Sequence, residues 1–105
     1  MVVTGEGRLD FQTAMGKAPV GVAKLAKKHH AKVIAFAGSV TKEAAACNKG
    51  GIDAFFPILR NVCTLAEAMD PATAKNNMTA TAEQVSGCFK RYNGLNSGLD
   101  KPKLN

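Results

Sequence analysis

The sequence predicts an α/β protein, a three-layer arrangement with a parallel sheet and helices on both of its faces. Three observations carry that expectation. Short apolar runs alternate with helical stripes along the chain in the order β-α-β-α-β-α, which implies a parallel sheet with right-handed crossovers. The run at residues 32–37 is apolar without alternation, as in a strand covered on both faces. Finally, the connection between the first strand and the first helix is far longer than such a link requires, and it carries both signs of charge. In open α/β sheets, loops at the carboxyl ends of the strands are where ligands bind.

Residues 1–4 read as the end of a buried strand. The long loop follows, holding Glu6, Arg8, Asp10, Gln12, Thr13 and Lys17 between Gly5, Gly7 and Gly16. Pro19 opens a helix over residues 19–30, where a missing N–H costs no hydrogen bond. Val22, Leu25, Ala26 and His29 recur there at i, i+3, i+4 and i+7. After the strand at 32–37, Gly38 and Ser39 are expected to turn. Thr41 then caps a short helix with Glu43 in its first turn, at the positive end of the dipole, and Gly50-Gly51 ends it. The third strand is expected over residues 52–59, with Pro57 at its end or near an edge.

Thr64-Leu65-Ala66-Glu67 has capping-box spacing, and Asp70-Pro71 starts a second helix in the same manner. Met78, Ala82, Val85, Phe89 and Tyr92 hold a helical stripe that predicts a long docking helix. Residues 1–92 therefore read as one α/β unit and residues 93–105 as a tail. Three strands are few for this architecture, because both edges and both faces need covering. The first strand also begins almost at residue 1, so the native polypeptide is expected to extend N-terminal to it. Left alone, the exposed edges would favour self-association.

Composition removes several classes of function. No apolar run approaches the ~18 residues of a membrane span, and no secretory pattern opens the chain. Cys47, Cys63 and Cys88 are odd in number and lack Cys-x-x-Cys spacing. They read as buried small hydrophobes in a reducing cytoplasm rather than a disulfide framework or zinc site. The net charge of +6 comes largely from lysines at helical spacing and from a basic C-terminal cluster. Without interleaved aromatics these do not make a nucleic-acid surface. His29 and His30, the only histidines, read as a helix-end charge and a half-buried ring rather than a catalytic base.

The first loop matches neither common phosphate motif. Gly16-Lys17 is followed by Ala18 rather than Ser or Thr, and Asp10 stands where a dinucleotide fingerprint needs its third glycine. What remains suits a small, oxygen-rich anion. Backbone N–H groups around Gly5, Gly7 and Gly16 can approach a phosphate or carboxylate closely, and Arg8 can grip it through two parallel hydrogen bonds. Lys17 stands at the mouth of the next helix. Glu6 and Asp10 can hold Mg²⁺ or accept a hydroxyl proton. The competing reading is that Arg8 pairs with Asp10 or Glu6 and simply braces the loop.

Thr4-Gly5-Glu6-Gly7-Arg8-Leu9-Asp10-Phe11-Gln12-Thr13, followed by Gly16-Lys17-Ala18-Pro19, closely resembles the signature near the C-terminal end of bacterial glycerate kinases. The similarity continues through residues 33–39 and 51–58 to Cys88-Phe89-Lys90-Arg91-Tyr92. The resemblance implies a partial flavodoxin-like, Rossmann-like domain, split in the family between the two ends of the chain. It also implies Mg²⁺-dependent transfer of phosphate from ATP to a hydroxyl of D-glycerate. By the same resemblance Glu6, Arg8, Asp10, Gln12, Thr13 and Lys17 face the cleft, with Gly38 and Ser39 lining it. Asp10 would be base or metal partner, Arg8 and Lys17 would hold carboxylate or phosphate, and Gln12 and Thr13 would hold substrate hydroxyls. The sequence departs from the family's glycine-rich pattern at Val40-Thr41-Lys42. Apart from the rest of the parent polypeptide this chain is expected to be inactive; the alternative is a non-catalytic α/β module that binds a small anion.

Overall fold

The structure is a computed structural model and describes residues 1–10 and 18–97. Strand β1 spans Val2–Leu9, helix α1 Ala18–Lys28 and strand β2 Val33–Val40. A 3-10 turn at Lys42–Ala45 leads into α2, Ala46–Lys49. Strand β3 (Ala54–Pro57), helix α3 (Leu65–Met69) and the long helix α4 (Pro71–Ser97) complete the order. The three strands form one parallel sheet in the order β1-β2-β3. Helices lie on both faces, as the alternation predicts.

One face is packed with small residues. Val20, Ala23 and Ala26 of α1 meet Val33, Ala35 and Ala37 of β2, and Leu9, Ala44, Cys47 and Ile52 close the cluster. All are buried. Alanines on both sides let the helix lie close to the sheet, where even one added methylene would be felt. The opposite face is larger in side chain: Phe36 and Phe56 meet tilted at 36° with ring centroids 6.0 Å apart, and α4 runs across it.

Helix ends are fixed by local chemistry. The Thr64 hydroxyl accepts the Glu67 N–H at 3.2 Å and donates to Glu67 Oε1 at 3.0 Å. Asp70 Oδ2 accepts both the N–H and the hydroxyl of Thr73. These are the two starts expected from the sequence. Where the second helix ends, Ile52 N–H donates to Cys47 C=O and Gly51 N–H to Asn48 C=O, with Gly51 at φ 107°. That paired pattern needs a left-handed residue. The end of α1 is built in the same way by Ala31 to Ala26 and His30 to Lys27, but there the left-handed residue is His30, at φ 57°. A side chain in that conformation costs about 1 kcal/mol.

Several expected boundaries are corrected. Strand β1 continues to Leu9 and β2 to Val40, because pairing resumes beyond Gly7 and Gly38 at Arg8 with Ser39 and Leu9 with Val40. Residues 5–9 are therefore strand rather than loop, and Gly38 and Ser39 are strand rather than turn. β3 is shorter than expected, ending at Pro57 as that residue dictates. Thr41 stands at the cap position, but its side chain makes no capping hydrogen bond. Helix α4 runs five residues past Tyr92 to Ser97; residues 98–105 lie outside the described residues. Both histidines are exposed, and of the cysteines only Cys47 is buried.

The amino ends of β2 and β3 are tied to α1 by one carboxylate. Asp53 Oδ2 accepts Lys27 Nζ at 2.5 Å and the Val33 N–H at 2.7 Å, while Asp53 N–H donates to Val33 C=O at 2.9 Å. The Lys27 hydrogen bond, then that from Val33, hold the Asp53 carboxyl below its ordinary pKa. A depressed carboxyl stabilises the fold above its unfolded pKa of ~3.9, and that contribution is lost as pH falls through the lower, folded value. Both side chains are over a third exposed, so screening limits the ion pair, and pair and hydrogen bond together contribute roughly 1 kcal/mol. Asp53→Asn should therefore lower the unfolding free energy measured by urea titration at pH 7 by about 1 kcal/mol, with the difference from the parent shrinking below pH ~4. An undiminished gap at low pH would show that the carboxylate's charge is not what matters.

Candidate functional site

Parallel pairing brings the carboxyl ends of β1 and β2 to the same end of the sheet, so residues 5–10 lie beside 37–40. The partners are Gly5 with Phe36, Glu6 with Ala37, Arg8 with Ser39 and Leu9 with Val40. Between them the strands approach so closely at Gly7 and Gly38 that a Cβ on Gly38 would lie 2.7 Å from the Gly7 carbonyl oxygen. No side chain fits there, and the contact presents bare backbone toward the crevice. A cavity of about 700 Å³ opens beside it. Its polar wall is Gly5, Glu6, Gly7, Gly38 and Ser39, and its apolar wall comes from Ile58, Leu59, α3 and the first turns of α4.

Charged groups are grouped at the end of β1. Glu6 Oε1 accepts the Gly7 N–H at 3.1 Å. Arg8 Nε lies 3.7 Å from Asp10 Oδ2, with Arg8 largely exposed and Asp10 mostly covered. This contact is the loop-bracing pair that the sequence left open beside the anion-binding reading. Burial pushes the Cys47 thiol of α2 up, and the Asp10 carboxylate pushes it further. Glu6 and Asp10 offer two carboxylates, the number a Mg²⁺ ion commonly takes from protein when phosphates supply the rest. No group of three or more His, Cys, Asp or Glu side chains that could hold a metal occurs among the described residues.

The structure thus brings Gly5, Glu6, Gly7, Gly38 and Ser39 to one cavity wall, while Arg8, paired with Ser39, and its neighbour Asp10 are not among the lining residues. Gln12, Thr13, Gly16 and Lys17 fall outside the described residues. The sequence reading missed the apolar wall, especially Leu65, Met69 and Met78. Met78 was visible only as part of a helical stripe. Leu65 and Met69 share one face of a five-residue helix, too short for periodicity to register.

Comparison with known proteins gives this arrangement a lineage. The sequence pattern of the glycerate kinase family matches residues 1–90. The chain belongs to the glycerate kinase family. It is 47% identical over 90 residues to the glycerate kinase of Bacillus cereus and 45% identical over 86 residues to the glycerate 2-kinase of Escherichia coli. Those matches cover 86% and 77% of this chain but 23% of each relative. The glycerate kinase of Bacillus subtilis is 41% identical over 90 residues, again across 23% of its length. The chain therefore spans about a quarter of the length of the curated relatives it matches. Among its described residues no helix is long and apolar enough to cross a membrane.

The Gly7–Gly38 contact gives a direct test of this geometry. Gly38→Ala should cost about 2 kcal/mol, since backbone rather than a yielding side chain stands in the way. Gly7→Ala meets nothing within 4 Å and should cost under about 1 kcal/mol. Thermal unfolding of the two variants measures the difference; equal losses would mean that the strands do not close at this point.

Proposed function

We propose that this chain forms part of a glycerate kinase that transfers the γ-phosphoryl group of ATP to a hydroxyl of D-glycerate with Mg²⁺, in a reducing cytoplasm. The observation that carries this reading is the meeting of residues 5–10 with Gly38 and Ser39 at the carboxyl ends of parallel strands, in a member of this family. Phosphoryl transfer depends mainly on positioning and electrostatic stabilisation, and each part has a candidate. The backbone at Gly5, Gly7, Gly16 and Gly38 and the Ser39 hydroxyl offer donors to phosphate or carboxylate oxygens. Arg8 and Lys17 offer positive charge, and Gln12 and Thr13 hydrogen bonds to glycerate hydroxyls.

Asp10 is the candidate base: its carboxylate takes the proton from the attacking hydroxyl as the new O–P bond forms and ADP leaves. Glu6 and Asp10 together would hold Mg²⁺, which neutralises charge on the phosphates when bound. Binding substrate would require Arg8 to exchange its contact with Asp10 for one with the anion. Alone, the chain is expected not to turn over, because it spans about a quarter of its relatives and one wall cannot exclude water from a phosphoryl-transfer site.

Glycerate-dependent ADP formation tests the proposal. The 105-residue chain should release none above background, whereas the longer polypeptide that carries this sequence should release ADP only with glycerate and Mg²⁺ together. In that longer polypeptide Asp10→Asn should lower kcat roughly 100-fold or more with the fold retained. Unchanged turnover would return Asp10 to the bracing role seen in its contact with Arg8.

A further inference from the structure

The cavity at the carboxyl ends of β1 and β2 is two-sided in a way that one small substrate does not explain. Its polar groups are gathered at one end, in the backbone of Gly5, Gly7 and Gly38 and the side chains of Glu6 and Ser39. Every other described side chain that lines it lacks an N–H or O–H donor and a carbonyl or carboxylate acceptor. The apolar wall stands on two helices. Leu65 and Met69 lie four residues apart on α3, and Ala74 and Met78 four apart on α4, so each pair shares a helix face. Leu65 and Met69 line the cavity and are yet 75% and 71% exposed, so most of their apolar surface has no protein partner among the described residues. At about 700 Å³ the space falls within the ~300–1,000 Å³ of pockets that bury a small organic ligand.

We propose that this cavity is the nucleoside subsite of the phosphoryl donor. The phosphates lie at the Gly7–Gly38 end and the base lies against Leu65, Met69 and Met78, held by apolar contact rather than by side-chain hydrogen bonds. The inference rests on the reading that the chain works within an ATP-dependent glycerate kinase. Of the two substrates only one complements both ends of the cavity. D-glycerate carries oxygen on each of its three carbons, and burying it against an apolar wall would leave those groups unpaired. A nucleotide is polar at its phosphates and offers a flat, largely apolar face at its base. Methionine suits such a face, because its thioether is unbranched and polarisable and packs on aromatic rings. Glu6 lines the polar end, and the Mg²⁺ proposed there would offset its charge beside the phosphates.

A wall of this kind feels the size of a base more than the pattern of its edges. Strong rejection of an analogue needs a site built to hydrogen-bond the correct ligand, and no side chain of the apolar wall can do so. Guanine should therefore be accepted nearly as well as adenine.

The longer polypeptide that carries this sequence is the material for the test. Binding of ADP and of GDP is measured by calorimetry without glycerate, and the KM values for ATP and D-glycerate by a coupled assay of ADP formation. Leu65→Ser and Met69→Ser change exposed positions, so circular dichroism should be unaltered. Each should weaken ADP about tenfold and raise the KM for ATP to match, while the KM for D-glycerate stays within about twofold. GDP should bind the parent within about tenfold of ADP.

The proposal is overturned if either variant binds ADP as tightly as the parent, or if the KM for D-glycerate rises as much as that for ATP. GDP binding more than about tenfold weaker than ADP overturns it as well. The kinase reading is judged separately. ADP binding that both variants weaken, with no glycerate-dependent ADP formation, upholds the subsite and removes the kinase reading. Glycerate-dependent ADP formation with ADP affinity untouched by either variant removes the subsite and keeps the kinase.

Discussion

Strands β1 and β2 lie side by side in register and close to a distance at Gly7 and Gly38 that admits no Cβ on the second of them. Much of the molecule depends on that contact. It lets the two strands run on past the point where a side chain would have forced them apart, so that Arg8 reaches Ser39 and Leu9 reaches Val40. Leu9 is then carried into the core, fully buried, and Thr41 N–H donates to its carbonyl at 2.9 Å. The same glycine contact sets bare backbone at the carboxyl end of the sheet.

The two ends of the sheet are built for different tasks. At the amino end, Asp53 gathers Lys27 and the Val33 amide, and two matching helix ends turn the chain back. Hydrogen-bonding groups there are occupied with one another, which suits a structural role. At the carboxyl end, Glu6 Oε1 accepts the Gly7 N–H in an exposed hydrogen bond, and Arg8 lies 3.7 Å from Asp10. In open α/β sheets generally, the crevice outside the carboxyl ends of the strands is where ligands bind.

The two faces differ as well. Against α1 the sheet is lined by alanine and valine, and the layers close fully. Against α4 it carries Ile34, Phe36 and Phe56 beneath a helix that does not seal over them. Phe36 is covered, but Met1, Val3, Phe89 and Tyr92 are left in solvent.

Much of the architecture was legible in the sequence because its signals are local. The apolar run at 33–37, the hydroxyl and carboxylate spacing at Thr64 and Glu67, the Asp70-Pro71 start and the Gly50-Gly51 stop each act over a few residues. Family membership was legible too, through the residues from Thr4 to Pro19. What the sequence did not reveal depends on neighbours remote along the chain. Residues 5–9 read as a loop because glycines and charges disfavour a lone strand, and only β2 alongside makes them one. The side-chain cap at Thr41 fails although the position is right, and Asp53 shows no pattern until Lys27 and Val33 are folded against it. The apolar wall of the cavity likewise unites Ile58, Leu65 and Met78, which no short window of sequence connects. Local propensities thus determined which elements form; long-range pairing and packing decided where strands end, which charges meet and which apolar face is left exposed.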